Sequence, residues 1–372
     1  MPAADGISII IPTAGRVNLV EALLLSIANT ARKCPFAVEV ILADSSSDAE
    51  KGAIARVANL HGAAVVPAPP HHPGLARNAG VAHARFDLLL FVDSDVTIAA
   101  GAIQAHYDAL LAGADACAGM VEFTGHPSFA WRCVEAMQMM LPFRYPLIAE
   151  TAPWAPTANI SFRKDRFLSV GGFDPHLPPY GGEDVDLGFR FSDAGFRVQT
   201  SAHAVVRHSI ETWAYWSQNI PRLASYGRAD FYLIERHPAR TYLDLPSPLF
   251  AFVLQVVLTI IAVPVVGFRS LLMLAAAVVT QAFCYAYLKK SAADSLSTHL
   301  AGPFLIALLD LGKWIEAFKN RRFRPIFVRL RYLSDIIEKD WREIWASAWG
   351  VYASMFVFVL VFIIELLFNR SR

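Results

Sequence analysis

The feature that most constrains the fold is the alternation of short apolar runs with helical patterns over residues 7–92. Each apolar run is followed within two residues by Pro or Asp, which indicates a strand that ends in a loop. The predicted strands are 7–11, 38–42, 63–66 and 88–92, and the predicted helices are 18–31, 49–60 and 76–83. This order predicts an α/β fold built on a doubly wound sheet with buried parallel strands.

Ligands of doubly wound sheets bind beyond the carboxyl ends of the strands, so the residues after each predicted strand are the candidates for a binding site. Asp44 follows the second strand, where a carboxylate can accept hydrogen bonds from a ribose or a base edge. A helix N-cap is the alternative role for Asp44. Arg77 lies at the start of the third helix, where it can neutralise a phosphate, and Gly80 would allow close packing of that helix on the sheet.

Asp93 and Asp95 directly follow the fourth predicted strand. Residues two apart in an extended segment share a side, so both carboxylates can face one ion. Mg²⁺ and Mn²⁺ are bound by one or two carboxylates together with substrate phosphate oxygens. The pair is therefore a candidate metal site.

Three further carboxylates stand at the start of a helical pattern, namely Glu183, Asp184 and Asp186. Acidic residues also stabilise a helix N-terminus, which is the alternative explanation for them. A carboxylate on a rigid helix start that faces the sheet edge is well placed to act as a base. His208 has Glu211, Trp213 and Tyr215 nearby in sequence, and we weigh a metal or phosphate role for it against a structural one.

The C-terminal third is far more apolar than the rest of the chain. Over 372 residues the hydrophobic fraction is 55% and the net charge is +1, so we expect no nucleic acid partner. The apolar excess begins near residue 246, which predicts a globular domain at 1–245 and a membrane region at 246–372. The first residues indicate no signal peptide, so we expect the globular domain in the cytosol. Four scattered cysteines form no zinc pattern.

Several segments of the C-terminal region have the length and composition of membrane elements. The predicted spans are 248–267, 271–288 and 349–368, and 296–311 is predicted to be interfacial or re-entrant. Residues 313–347 mix Lys and Arg with aromatic residues, which predicts an interfacial segment on the cytosolic face. Together these predict a multi-pass protein of the inner (plasma) membrane with a cytosolic catalytic domain.

The motifs taken together resemble a known family. They lie, in order, at residues 12–13, 44–46, 74–80, 93–95, 159–163, 170–174 and 182–187. This series resembles family 2 glycosyltransferases of the GT-A fold over roughly residues 6–215. The resemblance implies a metal-dependent hexosyltransferase-type enzyme that inverts the sugar carbon, with a nucleotide-sugar donor and a lipid-linked or glycan acceptor.

The resemblance also implies roles for individual residues. The pocket of the donor would be lined by Pro12, Thr13, Asp44, Arg77 and Asp93. Asp95 would ligate Mg²⁺ or Mn²⁺ at the diphosphate, with His208 as a further ligand. Asp184 would be the general base, with Glu183 beside it.

One departure from the family bears on the product. Processive synthases of the family carry a Gln-x-x-Arg-Trp motif near their membrane helices, whereas the nearest region here, 218–223, reads Gln-Asn-Ile-Pro-Arg-Leu. This favours transfer of a single sugar. Two alternatives stay open, namely a nucleotidyltransferase of related fold and a non-catalytic membrane scaffold that retains the fold.

Overall fold

The computed structural model describes residues 6–244, 247–289, 295–332 and 341–370. The strands are β1 (Gly6–Thr13), β2 (Ala37–Asp44), β3 (Ala64–Pro67), β4 (Leu88–Val92), β5 (Val96–Ile98), β6 (Ala116–Thr124), β7 (Thr151–Ala152), β8 (Asn159–Arg163), β9 (Val198–Ser209), β10 (Thr241–Leu243) and β11 (Val328–Leu330). The helices are α1 (Val17–Ala31), α2 (Asp48–Leu60), α3 (Pro73–His83), α4 (Ala102–Leu111), α5 (Phe129–Ala136), α6 (Lys164–Ser169), α7 (Glu183–Asp193), α8 (Trp216–Arg236), α9 (Pro248–Val266), α10 (Ser270–Lys289), α11 (Leu296–Leu300), α12 (Gly302–Asn320) and α13 (Trp341–Arg370).

The chain forms two compact units, and their division differs from the predicted boundary at 245/246. The first unit comprises residues 1–126 and 140–211, and the second comprises 127–139 and 212–372. The difference arises because α8 packs on α12 of the second unit. A Cβ on Gly227 of α8 would lie 1.8 Å from Leu309 O, and one on Gly312 of α12 would lie 1.9 Å from Ala224 O. The two helices therefore cross where both lack side chains.

The first unit is built on a nine-stranded sheet with the order β3-β2-β1-β4-β8-β6-β9-β5, and β7 pairs with the start of β9. Strands β1 to β4 are parallel to one another, as the sequence predicts. Strand β8 then lies antiparallel between β4 and β6, and β5 is antiparallel to β9. The α/β prediction is confirmed, with the addition that the sheet as a whole is mixed.

The core of the parallel part forms because apolar side chains meet across β1 and its covering helices. Ile7, Ile9 and Ile11 of β1 are fully buried with the inner face of α1. On the other side α3 approaches closely, since a Cβ on Gly80 would lie only 2.4 Å from Ile10 Cγ2. The predicted role of Gly80 in close packing is thus confirmed. These contacts fix the starts of α1 and α3 at the carboxyl edge of the strands.

A buried polar network holds the other half of the sheet. Asn159 of β8 donates to Ala204 O (2.7 Å) and Met120 O (3.0 Å), where the register between β6 and β9 shifts. Its Oδ1 therefore accepts from His106 Nε2 (2.9 Å), and His106 Nδ1 accepts from Ser161 Oγ (2.9 Å). His106 is fully buried and burial lowers its pKa to about 4, so it is neutral in the fold.

The second unit is mainly helical, and it also contains the two-stranded antiparallel sheet of β10 and β11, so it is not entirely α-helical. Within the described residues, one helical stretch, Gly267–Tyr287, is long and apolar enough to cross a membrane. Shorter apolar stretches occur at Pro248–Pro264 and Val351–Ile364. Helices thus form at all three predicted spans. Among the described residues, however, only the stretch that contains α10 is both long enough and apolar enough to cross a membrane.

The predicted interfacial segment 313–347 begins inside α12. Lys313 is buried, with Nζ 3.3 Å from the Asp310 carboxylate. Glu316 is fully buried and accepts from Tyr232 OH (2.9 Å). Half of this helix therefore packs inward through ion pairs, and residues 333–340 lie outside the described part of the chain.

His106 should make the stability of the first unit depend on pH. Its pKa is about 4 in the fold and near 6.5 when unfolded, so between these values only the unfolded chain binds the proton. Stability should fall as pH falls from about 6.5 to about 4, by ~1.4 kcal/mol per pH unit. Urea unfolding of His106→Gln should show a lower stability at pH 7 but a flatter pH dependence.

The exposed His83 provides the matched control. His83→Gln should retain the parental pH dependence. An equally steep pH dependence in His106→Gln and the parent would show that other groups cause it.

Candidate active site

The carboxyl ends of β1 and β2 are joined by a polar cluster. Thr13 Oγ1 donates to Asp44 Oδ1 (2.9 Å), and the Ser46 backbone N and hydroxyl donate to the same oxygen. Ser46 Oγ in turn accepts from Gly15 N (2.7 Å). Asp44 is thus fixed through Oδ1, and no hydrogen bond among the described residues involves its Oδ2. Pro12 is half-buried at the same strand end.

Arg77 connects two of the acidic segments. Its guanidinium is almost fully buried, and Nη2 donates to Asp93 Oδ1. Arg77 Nη1 lies 3.6 Å from Glu183 Oε1, beyond hydrogen-bond distance. Arg77 Nε and Nη1 have no hydrogen-bond partner among the described residues. One buried cation therefore faces the carboxylates from β4 and α7 and retains free donors.

Helix α3, which carries Arg77, is tied to the loop before α7. Asn78 Nδ2 donates to Phe173 O (2.7 Å), and Asn78 Oδ1 accepts from Phe173 N (3.0 Å). His72 caps the helix by accepting from Leu75 N at Nδ1, and its Nε2 lies 3.0 Å from Leu177 O. These contacts fix Arg77 relative to the 173–177 loop.

Asp95 and His208 meet because of strand register. Val96 of β5 pairs with His208 of β9, so Asp95 lies beside the histidine ring, with Oδ1 3.4 Å from His208 Nε2. Arg16 Nη1 contacts Asp95 Oδ2 at 3.0 Å. His208 Nδ1 lies 2.9 Å from Ser209 O, which orients the ring. The two residues predicted as metal ligands are therefore neighbours.

The charges of this pair reinforce each other. Burial acts to raise the pKa of Asp95, but the hydrogen bond and charge of His208, together with Arg16, outweigh it and lower the pKa. Burial acts to lower the pKa of His208, but Asp95 outweighs it and raises the pKa. Among the described residues, no three or more His, Cys, Asp or Glu side chains are grouped so that they could hold a metal ion.

Asp184 occupies the first turn of α7, next to Glu183. Its Oδ1 accepts from the Val185 backbone N (2.8 Å). Burial, followed by the charge of Glu183, raises the pKa of Asp184 to about 7, although Arg77 acts in the opposite direction. A carboxyl group with this pKa can take up a proton near neutral pH.

Asp186 has a different environment from Asp184. It is fully buried and accepts from Arg190 Nε (2.8 Å). The other guanidinium nitrogens of Arg190 donate to Val170 O and Gly172 O (2.8 Å). Asp186 therefore holds the 170–172 turn through Arg190, which leaves Glu183 and Asp184 as the acidic pair at the start of α7.

Several residues that shape the site have no recognisable signal in the sequence. Ser46 and Asn78 act through hydrogen bonds whose partners are distant in sequence. Tyr145 is fully buried in the 3-10 helix Leu141–Leu147, and the charge of Asp184 acts on it. The contact of Arg16 with Asp95 has no signal in the sequence.

Comparisons with known proteins show which family and fold this chain resembles. Residues 8–167 match the family model described as glycosyl transferase family 2, and residues 153–211 match the model described as N-terminal domain of galactosyltransferase. The pre-mycofactocin glycosyltransferase of Mycobacterium tuberculosis is 33% identical over 181 residues, which are 46% of this chain and 37% of that protein. The chain thus spans little more than a third of the length of this curated relative.

A solved structure shares the fold. The mannosyltransferase PcManGT from Pyrobaculum calidifontis, solved with GDP-Man and Mn²⁺, is 16% identical with a TM-score of 0.55. The superposition covers 83% of this chain and 87% of that one. The chain is therefore similar to glycosyl transferase family 2 over residues 8–167, and its first compact unit has the GT-A fold.

Proposed function

We propose that the protein is an inverting glycosyltransferase that moves one sugar from a nucleotide-sugar donor to a lipid-linked or otherwise membrane-associated acceptor. The observation that carries the proposal is the meeting of Asp95 with His208 at the sheet edge that also holds Asp184, whose pKa is about 7. This edge combines a place for a diphosphate with a base. The relative named pre-mycofactocin glycosyltransferase supports the reaction class.

The nucleoside end of the donor would occupy the ends of β1 and β2. Asp44 is buried and held by Thr13 and Ser46 through one oxygen, so its other oxygen can accept from a ribose or base without reorganisation. Pro12 lies on the same strand end. Arg77 retains buried N–H groups that can donate to the donor.

The residues fit a divalent cation, Mg²⁺ or Mn²⁺. A carboxylate oxygen of Asp95 and the Nε2 of His208 converge, and oxygen with imidazole suits Mn²⁺. Two protein ligands leave coordination positions for diphosphate oxygens and water, in keeping with how such ions bind. When bound, the ion would supply positive charge to the departing diphosphate. Asp95 is held ionised by His208 and Arg16, as a ligand must be. His208, whose pKa Asp95 raises, would release its proton when it binds the ion.

Asp184 would remove the proton from the acceptor hydroxyl. The freed oxygen forms a bond to the anomeric carbon, the bond from that carbon to the diphosphate oxygen breaks, and its electrons leave with the nucleoside diphosphate. Attack from the face opposite the leaving group inverts the carbon. Glu183, 3.6 Å from Arg77, is better placed to hold the site together than to accept this proton.

The arginines of the site favour sugar transfer over nucleotidyl transfer. A nucleotidyltransferase needs basic groups that neutralise a triphosphate. Here each arginine already pairs with a carboxylate, Arg16 with Asp95 and Arg77 with Asp93. The non-catalytic scaffold alternative gives no reason for an Asp184 with a pKa near neutrality. The absence of a Gln-x-x-Arg-Trp motif near 218–223 supports transfer of one sugar.

The second unit supports a membrane-associated acceptor. Helix α10 has the length and hydropathy of a span. The outer face of α12 exposes a row of apolar side chains, namely Phe304, Leu311, Ile315 and Phe318. Basic residues, among them Lys319 and Arg322, follow at its end. Such a surface suits an anionic membrane face, which for a cytosolic catalytic domain is the inner side of the plasma membrane.

Asp184→Asn should bind nucleotide like the parent but transfer almost no sugar. The substitution keeps the shape and removes the basicity, and loss of a general base costs about 10²–10⁴-fold in rate. The measurement is nucleotide-sugar hydrolysis and transfer by the purified protein in detergent, across a panel of donors and membrane lipid extracts. In the parent, kcat/KM should rise with pH through about 7, where Asp184 ionises.

Glu183→Gln is the matched control for Asp184→Asn, because it changes the adjacent carboxylate and leaves Asp184 in place. It should retain more activity than Asp184→Asn. Parental transfer by Asp184→Asn would exclude it as the base.

Asp95→Ala should abolish metal-dependent nucleotide binding. Without this carboxylate the ion loses one of its two protein ligands, and the diphosphate charge is uncompensated. Calorimetry with UDP or GDP and Mn²⁺ measures the effect. Asp108→Ala, on the far end of α4, should bind like the parent. Equal affinities of Asp95→Ala and the parent would remove Asp95 from the metal site.

The end of α12 should lie on the cytosolic membrane surface. Asn320 is exposed there, so a cysteine at this position is open to reagents on its own side. In a variant without the native cysteines, Asn320→Cys should resist a membrane-impermeant maleimide in intact cells and react after permeabilisation. Labelling in intact cells would reverse the topology.

A further inference from the structure

The side chain of Arg16 pairs with Asp95 and is otherwise open to solvent. Its Nη1 donates to Asp95 Oδ2 (3.0 Å), and 61% of the Arg16 side chain is exposed, against 16% of the Asp95 side chain. Within the described part of the chain, the guanidinium makes no other hydrogen bond or ion pair. Exposed ion pairs contribute little to stability, so this contact can be exchanged for another at small cost.

The backbone of Arg16 lies in the left-handed region, with φ 54° and ψ 45°, which is unfavourable for a residue other than glycine. The preceding Gly15 also has a positive φ of 71°, and its backbone N donates to Ser46 Oγ (2.7 Å). This bond anchors the loop between β1 and α1. Residues in such conformations persist where the surrounding structure holds them, and they cluster at functional sites.

The loop that carries Arg16 lies between the two parts of the proposed donor site. Strand β1 pairs with β2 on one side and with β4 on the other. The loop after β1 therefore stands between Asp44, at the end of β2, and Asp95, just after β4. The nucleoside is proposed to bind at Asp44, and the cation at Asp95 and His208. The diphosphate joins these two parts of the ligand, so it has to pass the loop of Arg16.

Both carboxylate oxygens of Asp95 are occupied by basic side chains. Oδ1 lies 3.4 Å from His208 Nε2, and Oδ2 accepts from Arg16. A divalent cation at this site would compete with Arg16 for the carboxylate, and the two positive charges would repel each other. The repulsion is relieved when the guanidinium turns to an anion, and the diphosphate supplies one.

We propose that Arg16 exchanges partners during the reaction cycle. It pairs with Asp95 in the free enzyme, and it donates to the diphosphate of the nucleotide sugar once the cation is bound. Arg16 would thus disfavour the cation alone and favour cation and nucleotide together, which couples the binding of the two ligands. It would also stabilise the negative charge that gathers on the departing diphosphate. The inference rests on the proposed cation site at Asp95 and His208.

Arg16→Gln removes the charge and keeps a polar side chain. Mn²⁺ without nucleotide should bind ~3-fold more tightly to this variant than to the parent, because a competing like charge is lost. With saturating Mn²⁺, whichever of UDP and GDP the parent binds should bind ~10-fold more weakly, because a charge-assisted hydrogen bond is lost. Electron paramagnetic resonance of free Mn²⁺ measures the first affinity, and calorimetry measures the second. A poorly folded variant would not gain affinity for Mn²⁺.

Arg85→Gln is the matched control for Arg16→Gln. Arg85 forms a similar pair, with Nε 2.8 Å from Glu39 Oε1 and exposed fractions of 69% and 13%, but Glu39 lies near the start of β2, away from the strand ends that form the site. Both affinities of Arg85→Gln should match those of the parent.

Arg16→Lys separates charge from geometry. It should retain the parental affinity for Mn²⁺ alone, because the positive charge remains. It should lose part of the nucleotide affinity, because lysine lacks the forked donors of arginine.

The coupling between the two ligands decides the inference. If nucleotide tightens Mn²⁺ binding by the same factor in Arg16→Gln and in the parent, the exchange of partners is refuted and the cation site stands. If Asp95→Ala binds Mn²⁺ and nucleotide like the parent, the cation site is wrong, and the role of Arg16 is refuted with it.

Discussion

The site depends on one buried cation. Arg77 brings a guanidinium to a sheet edge where β4 and α7 deliver Asp93, Glu183 and Asp184. Removing ions from water is costly, and several carboxylates without a counter-charge would repel one another or take up protons. Arg77 offsets the cost of burying the charge of Asp93, to which it donates a hydrogen bond. It offsets less of this cost for Glu183, which lies 3.6 Å away. Because α3 is held by Asn78 and His72, the cation cannot move to neutralise all of them equally.

That unequal neutralisation divides the carboxylates by role. Asp186 accepts a hydrogen bond from Arg190, and the remaining N–H groups of Arg190 donate to backbone carbonyls of the 170–172 turn. Asp95 is kept ionised by His208 and Arg16. Asp184 receives the least compensation, and its pKa rises to about 7. The same residue type thus anchors a turn at Asp186 and has the roles that we propose for Asp95, an anionic ligand, and for Asp184, a base. The difference lies in which cation each carboxylate reaches.

The sequence predicted those parts of the site that follow from strand ends. Asp44 and Asp95 lie where the apolar runs stop, and Gly80 packs on Ile10 as its position indicated. What periodicity cannot supply is pairing between distant strands. Asp95 and His208 are neighbours because of the register between β5 and β9. The family resemblance implies that both residues bind one ion, but no local sequence pattern specifies the register.

The C-terminal third illustrates a limit of hydropathy. Its composition indicates membrane segments, yet charged residues that break the apolar runs are themselves buried as pairs. Lys313 bonds Asp310, and Arg228 lies 2.6 Å from Glu316 between α8 and α12. Breaking such a pair would leave an uncompensated buried charge. A charge in this region therefore does not mark a surface. In α12 it marks the inner face, where Leu305 and Leu308 are buried as well. The outer face exposes apolar side chains such as Ile315, unlike the polar outer face of a soluble amphipathic helix.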